Sequence, residues 1–136
     1  MKIALDPGAK MPKKAHRTDG GFDLYAMETK VVPSKGRVFF DTGVHVALPE
    51  GTVGFVMSKS GLNKKYGLTS EGVIDVGYTG SIGVVLYNNS EEDYTVNEGD
   101  KISQLVIVPI LTPDIELVDE LEETERGNGG FGSTGK

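Results

Sequence analysis

The sequence predicts an all-β domain, a barrel or a sandwich of short strands. Three observations carry this. Apolar residues recur at every second position in several stretches, which is the period of a half-buried strand. Turn-forming clusters separate those stretches: Pro33-Ser34-Lys35-Gly36, Pro49-Glu50-Gly51, Asn88-Asn89-Ser90 and Asn97-Glu98-Gly99-Asp100. The 19 glycines are spread in short clusters rather than one low-complexity run, as tight turns and close backbone approach require.

Taken in order, Gly20 to Ala26 reads as an apolar strand carrying one acid, Asp23, and an acid in that setting is either paired or functional. Val44, Val46 and Leu48 alternate with His45 and Ala47. Val53, Phe55 and Met57 alternate with Gly54, Val56 and Ser58. Residues Ser60 to Tyr66 break the alternation and suggest a short helix with Ser60 as candidate N-cap. The stretch Gly72 to Ile82 has glycines on both sides of Asp75 and Tyr78 and reads as a hairpin whose backbone can approach a ligand. Residues 102 to 110 are apolar on both faces in their second half, so that strand lies in a core or against another subunit. After Leu121 the chain turns polar and then glycine-rich, a composition that cannot bury enough surface to order itself. The expected organisation is a domain over residues 1–121 and a flexible arm over residues 122–136.

Composition bounds the function. A chain of 136 residues is one domain. With 25% charged and 38% hydrophobic residues it is globular, and no apolar run approaches the ~20 residues of a membrane span. The apolar stretch at the N-terminus is too short for a signal peptide. No cysteine is present, so disulfides and thiolate metal sites are excluded. His16 and His45 are too few for an imidazole-rich zinc site. A net charge of −6 argues against a nucleic-acid surface, but not against a small phosphorylated ligand held by a few local cations. A cytoplasmic location is the default expectation.

Several clusters can carry chemistry, and each has a plainer reading beside it. Residues Gly130 to Lys136 spell the first seven positions of a P-loop, yet no helix follows to hold phosphates. The plain reading of the tail is a disordered end. Arg126 and Phe131 argue for more, since a guanidinium can neutralise a phosphate while an aromatic ring stacks on a base. Asp75 and Tyr78 lie in the expected hairpin, where Asp75 can also be a simple turn cap. Lys59, Ser60 and Gly61 stand where a strand meets the expected helix and suit a phosphate, or form only a helix start. Gln104 follows a turn at Gly99-Asp100-Lys101, or belongs to a solvated polar face.

Together, in this order and spacing, these segments resemble the five motifs of the trimeric dUTPase family. Residues 20 to 26, 58 to 62, 72 to 82 and 99 to 104 are similar to the first four. Residues 126 to 135, Arg-Gly-Asn-Gly-Gly-Phe-Gly-Ser-Thr-Gly, match the fifth almost letter for letter. The second motif usually reads Arg-Ser-Gly; here it is Lys59-Ser60-Gly61, which keeps the charge and loses the planar fork.

The resemblance implies a jelly-roll-like β-barrel of the β-clip kind, in a homotrimer whose C-terminal tail reaches a neighbouring subunit's active site. It implies hydrolysis of dUTP to dUMP and pyrophosphate with Mg2+. Asp75 would activate the attacking water. Lys59, Ser60, Gly61 and Gln104 would hold phosphate oxygens. Gly72 and Ile74 would present backbone to uracil, and Tyr78 would pack under the deoxyribose. Arg126 would reach the terminal phosphate, Phe131 would stack on the base, and Gly132, Ser133 and Thr134 would add contacts. Asp23 would touch the metal through water at most. A dCTP deaminase on the same fold is the nearest rival, but its second motif runs Arg-Ser-Ser with a further Arg. A non-catalytic regulator that binds a repressor is the rival from another class, and pyrophosphate release from dUTP separates it.

Overall fold

The computed structural model describes residues 1–135. The described residues are all-β apart from one short helix. Its strands are β1 (Lys2–Leu5), β2 (Gly21–Tyr25), β3 (Lys30–Val32), β4 (Arg37–Asp41), β5 (Val44–Ala47), β6 (Thr52–Met57), β7 (Leu68–Thr69), β8 (Glu71–Ile74), β9 (Gly83–Asn88), β10 (Tyr94–Val96) and β11 (Lys101–Pro109); the helix α1 spans Ser60–Tyr66. The strands form four antiparallel sheets: β1 with β5, β10 with β3, β4-β9-β7, and β2-β11-β6-β8. Their inner faces share one core, in which Leu24, Phe40, Val56, Ile82, Val84, Leu86, Ile102 and Leu105 are at most 1% exposed. Among the described residues no helix is long and apolar enough to cross a membrane.

The alternation of Val44 and Val46 is realised in β5, where both are buried and His45 between them is half-buried. In β6 the face differs from the expected one. Val56 is in the core cluster, whereas of the alternating set Val53 is buried outside that cluster, Phe55 is half-buried and Met57 is 46% exposed. The reason is Gly54, where a Cβ would meet Leu105, Ile74 and Leu48 at 3.1, 3.2 and 3.3 Å. Three side chains fill the space above that glycine, so the core lies on the Gly54 and Val56 side. Asn88 is buried where β9 ends, and it is satisfied there: its Nδ2 donates to the Val32 and Glu92 carbonyls, and its Oδ1 accepts from the Ser90 N–H and hydroxyl.

The segment expected as a hairpin is not one. β8 pairs with β6, whereas β9 pairs with β4 and β7, so residues 75–82 cross from one sheet to another. Ile82 is the reason. Its buried side chain belongs to the core, and its backbone bonds Val44 and Thr42 instead of β8. The helix α1 lies where expected, but Lys59 is its N-cap residue, in an extended conformation with no side-chain cap bond, and Ser60 is already helical. Gly67, left-handed at φ 67°, ends it, with Lys64 and Lys65 in the last turn where the helix dipole favours cations.

β11 is flanked by β2 on one side and β6 on the other. Its second half, Val106 to Val108, is only half-buried in the single chain. Beyond Pro109 the described residues carry no strand or helix. Residues 131–134 form turns, so the P-loop-like letters have no helix after them up to residue 135, and Lys136 lies outside the described residues.

Candidate functional site

One sheet brings four of the singled-out segments side by side. Gln104 of β11 faces Asp23 of β2 on one side and Met57 of β6 on the other, and Met57 faces Glu71 of β8. A bulge in β11 makes this arrangement work. Lys101 pairs with Tyr25 and Ser103 with Leu24, so Ile102 is an extra residue. In a regular strand, residues three apart point to opposite faces. The bulge removes that conflict, and Lys101 and Gln104 share the face of Asp23.

Asp23 is 6% exposed and ion-paired through both oxygens, to Lys59 by Oδ1 and to Lys101 by Oδ2 at 2.7 Å. Burial pushes its carboxyl up, but the hydrogen bonds from Lys101 and Lys59 and their charges outweigh it, leaving the group below the ordinary aspartate value. The same bond raises Lys101. Asp23 therefore gathers two cations at one end of the sheet. Gln104 Nε2 donates to the Ser58 carbonyl at 3.1 Å and pins the exit of β6 just before Lys59. Beyond it, Ser60 and Gly61 are exposed on the first turn of α1, and the Ser60 hydroxyl has no hydrogen-bond partner among the described residues.

At the other end of β8, Ile74 is buried and Gly72 lies opposite Val56. The chain then turns over Asp75 to Tyr78, with the Tyr78 N–H donating to the Asp75 carbonyl at 3.1 Å and Gly77 at φ 92°, a conformation that favours glycine. The Tyr78 ring covers Gly80 so closely that a Cβ there would collide, and its hydroxyl donates to the Ser81 carbonyl at 3.0 Å. The Ser81 hydroxyl in turn donates to Asp41, whose Oδ1 also accepts from the Gly43 N–H at 2.9 Å. Those bonds, led by the one from Ser81, hold Asp41 below the usual carboxylate range. Asp75 is exposed, and its carboxylate makes no hydrogen bond or ion pair among the described residues.

The two ends are far apart. Continuing the β6–β8 register places Asp75 level with Val53, six residues from Lys59 along the partner strand. At ~3.3 Å per residue this is roughly 20 Å. Within one chain, Asp75 and the Lys59-Ser60-Gly61 turn cannot meet at one phosphorus atom. The arm is equally remote in its bonding. The Arg126 side chain donates to the Gly129 carbonyl at 2.9 Å, Ser133 N–H to Gly130, and Gly135 N–H to Gly132; every hydrogen bond of residues 124–135 closes within the arm among the described residues. Phe131 is fully exposed with φ 51°; Gly132, at φ 83°, and Thr134 are exposed beside it.

A sequence model described as dUTPase matches residues 8–135. The chain belongs to the dUTPase family. It is 44% identical over 139 residues to a deoxyuridine 5'-triphosphate nucleotidohydrolase of Kluyveromyces lactis, covering 100% of this chain and 94% of that protein. One from Paramecium bursaria Chlorella virus 1 is also 44% identical, over 132 residues, with 96% and 94% covered. Among solved structures, the dUTPase of Staphylococcus bacteriophage 80alpha with dUPNHPP is similar with a TM-score of 0.93 at 34% identity, covering 99% of this chain and 98% of that one. A variant dUTPase from phage phi11 of S. aureus, described as revealing the coordination of a structural Mg(II) ion, has a TM-score of 0.82 at 35% identity, with 90% and 98% covered. The fold is that of the dUTPase family.

Among the described residues no group of three or more His, Asp or Glu is placed to hold a metal ion. Asp23, which pairs with Lys59 of the second dUTPase motif and Lys101 of the fourth, has both oxygens taken by those lysines. Such a donor set fits an ion that rides mainly on substrate phosphates and water, as magnesium does, rather than one caged by protein. Four residues of this dUTPase-family chain were given no role from its sequence, although Ser58, Lys101 and Ser103 lie inside the motif segments. Lys101 shares Asp23 with Lys59. Ser58, Ser70 and Ser103 form a hydrogen-bonded chain: Ser58 Oγ donates to the Ser70 carbonyl and accepts from its N–H, Ser70 Oγ meets Ser103 Oγ at 2.8 Å, and the Ser103 hydroxyl also contacts the Met57 carbonyl. Their sequence signal is weak, a lone hydroxyl beside an apolar run.

Proposed function

We propose that the chain hydrolyses dUTP to dUMP and pyrophosphate, with Asp75 activating the water and with each site shared between the subunits of a homotrimer. The observation that carries this reading is the separation of two built half-sites. Lysines and Gln104 stand at one end of the β6–β8 pair, a free carboxylate and Tyr78 at the other, roughly 20 Å away at strand spacing. A nucleotide can touch both only if the second comes from another copy. The arm supports the same view, since Arg126 and Phe131 find no partner on their own barrel among the described residues.

Lys59, Ser60, Gly61 and Gln104 hold phosphate oxygens. Backbone at Gly72 and Ile74 reads the uracil edge, where a mismatched base leaves buried polar groups unpaired. The Tyr78 ring packs under the deoxyribose and leaves no room for a 2′-hydroxyl. Asp75 takes a proton from water as its oxygen bonds to the α-phosphorus in line, and the bond to the pyrophosphate oxygen breaks. Holding the triphosphate in place supplies much of the rate, and the base a further ~10²–10⁴-fold. When bound, Mg2+ neutralises phosphate charge, with Asp23 reaching it through water at most. Residues 122–136 act as the arm over a barrel of residues 1–121. Arg126 reaches the terminal phosphate, Phe131 stacks on the base, and Gly132, Ser133 and Thr134 complete the closure. The reaction lowers dUTP, keeps uracil out of DNA and supplies dUMP for dTMP synthesis in the cytoplasm.

A pyrophosphate assay with dUTP, dTTP, dCTP and UTP in parallel tests the reading; turnover of dUTP alone is expected. Removing residues 126–136 should lower kcat/KM by about 10²-fold, the cost of losing substrate positioning, while light scattering still reports a trimer. Ammonia release from dCTP, or full activity in a strict monomer, would overturn it.

A further inference from the structure

The loop that carries Asp75 and Tyr78 is held from below by a histidine. His45, in the middle of β5, places Nδ1 at 2.8 Å from the Thr79 carbonyl and Nε2 at 3.1 Å from Asp6 Oδ1. Both partners are acceptors. A neutral imidazole has one N–H and one lone pair, so it can satisfy only one of them; the imidazolium satisfies both. Thr79 follows Tyr78 directly, and Asp6 is itself fixed by its N–H bond to the Gly43 carbonyl at 2.8 Å and by the β1–β5 pairing that ends at Leu5 and Val44. The geometry points to His45 as a positioning residue: as an imidazolium it ties the substrate loop to the N-terminal strand, and on losing its proton it releases one of the two ties.

The charged surroundings agree. Asp6 faces the ring from the end of β1, Asp41 acts on it from the end of β4, and Lys2 lines the same surface cleft of about 420 Å³. The carbonyl of Thr79, then the Asp6 carboxylate, raise His45 above the ordinary histidine value of 6.5. The sign follows. A raised group contributes its tie fully below the unfolded value and loses it as the pH climbs through the folded one. The latch is therefore closed at and below pH ~6.5 and opens on the alkaline side. The rest of the loop is anchored by pH-independent bonds, Thr42 Oγ1 to the Ile82 carbonyl at 2.7 Å and Ile82 N–H to the Val44 carbonyl at 2.8 Å, so opening loosens Asp75 to Thr79 without unseating β9. The consequence for substrate rests on the proposed roles of Asp75 and Tyr78.

Two measurements test this, and one is independent of activity. The chain has only two histidines, so NMR titration of the ring nitrogens is assigned by the signal that His45→Gln removes. His45 should titrate above about 6.5, and Asp6→Asn should lower that value. A His45 that titrates at or below the ordinary value, or that ignores Asp6→Asn, overturns the latch. For kinetics, Gln keeps a donor for Thr79 but cannot ionise. The ratio of wild-type KM to His45→Gln KM should rise roughly threefold from pH 6.5 to 8.5, as for one partly exposed hydrogen bond, with the kcat ratio nearly flat. Ionisation of the nucleotide is common to both enzymes and cancels. Parallel KM profiles overturn the proposal. A wild type that hydrolyses no dUTP at any pH refutes the functional reading instead, and the titration still decides the latch.

Discussion

Asp23 and Asp75 sit at opposite ends of the same sheet and live in opposite conditions. Asp23 is buried, carries a lysine on each oxygen and is held below its usual range. Asp75 is exposed on a turn and its carboxylate is engaged by nothing among the described residues. A carboxylate saturated by cations cannot take a proton from water, but it can fix where those cations stand. A carboxylate with open lone pairs contributes little to stability, but it is free for chemistry. The difference teaches that one acid is spent on holding two lysines while the other is left open, as the role proposed for Asp75 requires.

The comparison is sharpest in what each loss should do. Asp75→Asn should lower kcat by about 10²–10⁴-fold, the usual worth of a general base, with dUTP binding by calorimetry and the melting temperature nearly unchanged. A variant that melts early would mean that Asp75 is structural after all. Asp23→Asn should act the other way round, costing about 2 kcal/mol in denaturant unfolding; breaking a buried pair costs ~3–5 kcal/mol, less here because both lysines reach solvent. Its pH signature has a definite sign. Because Asp23 is depressed in the folded state, its contribution is present above the unfolded value near 3.8 and is lost as pH falls through the lower folded one. The wild type should therefore lose stability faster than Asp23→Asn on acidification below pH ~4. Smallest is Tyr78→Phe, which removes the hydroxyl bond to Ser81 and should cost under ~1 kcal/mol. With the ring rather than the hydroxyl under the sugar, as proposed, UTP should still be refused; UTP turnover by this variant would assign selectivity to the hydroxyl.

Several features were legible before any coordinates. Val44 and Val46 announce a strand by their spacing, and the run from Ser60 to Tyr66 announces a helix by breaking it. Asp23 could be recognised as paired or functional because an acid in an apolar strand has no third option. Other features were not legible, for physical reasons. Which face of β6 looks inward depends on what packs over Gly54, and alternation is symmetric between the two choices. The hairpin expected at residues 72–82 failed because local turn signals do not reveal that Ile82 belongs to another sheet's core. The helix spans Ser60–Tyr66 as expected, but its cap falls on Lys59 rather than Ser60, and the Lys59 side chain is committed to Asp23, a partner far away in sequence.

The sequence by itself determined the all-β class, the order of the motif segments and the residue types proposed to meet a nucleotide, because periodicity, turn chemistry and side-chain chemistry are local properties of the chain. Only the tertiary structure decided that a one-residue bulge at Ile102 turns Lys101 and Gln104 to the same face, that two lysines share Asp23, and that His45 stands between Thr79 and Asp6. Each of these depends on register between strands far apart in sequence, and register is set by the packing of the whole core rather than by any stretch of letters.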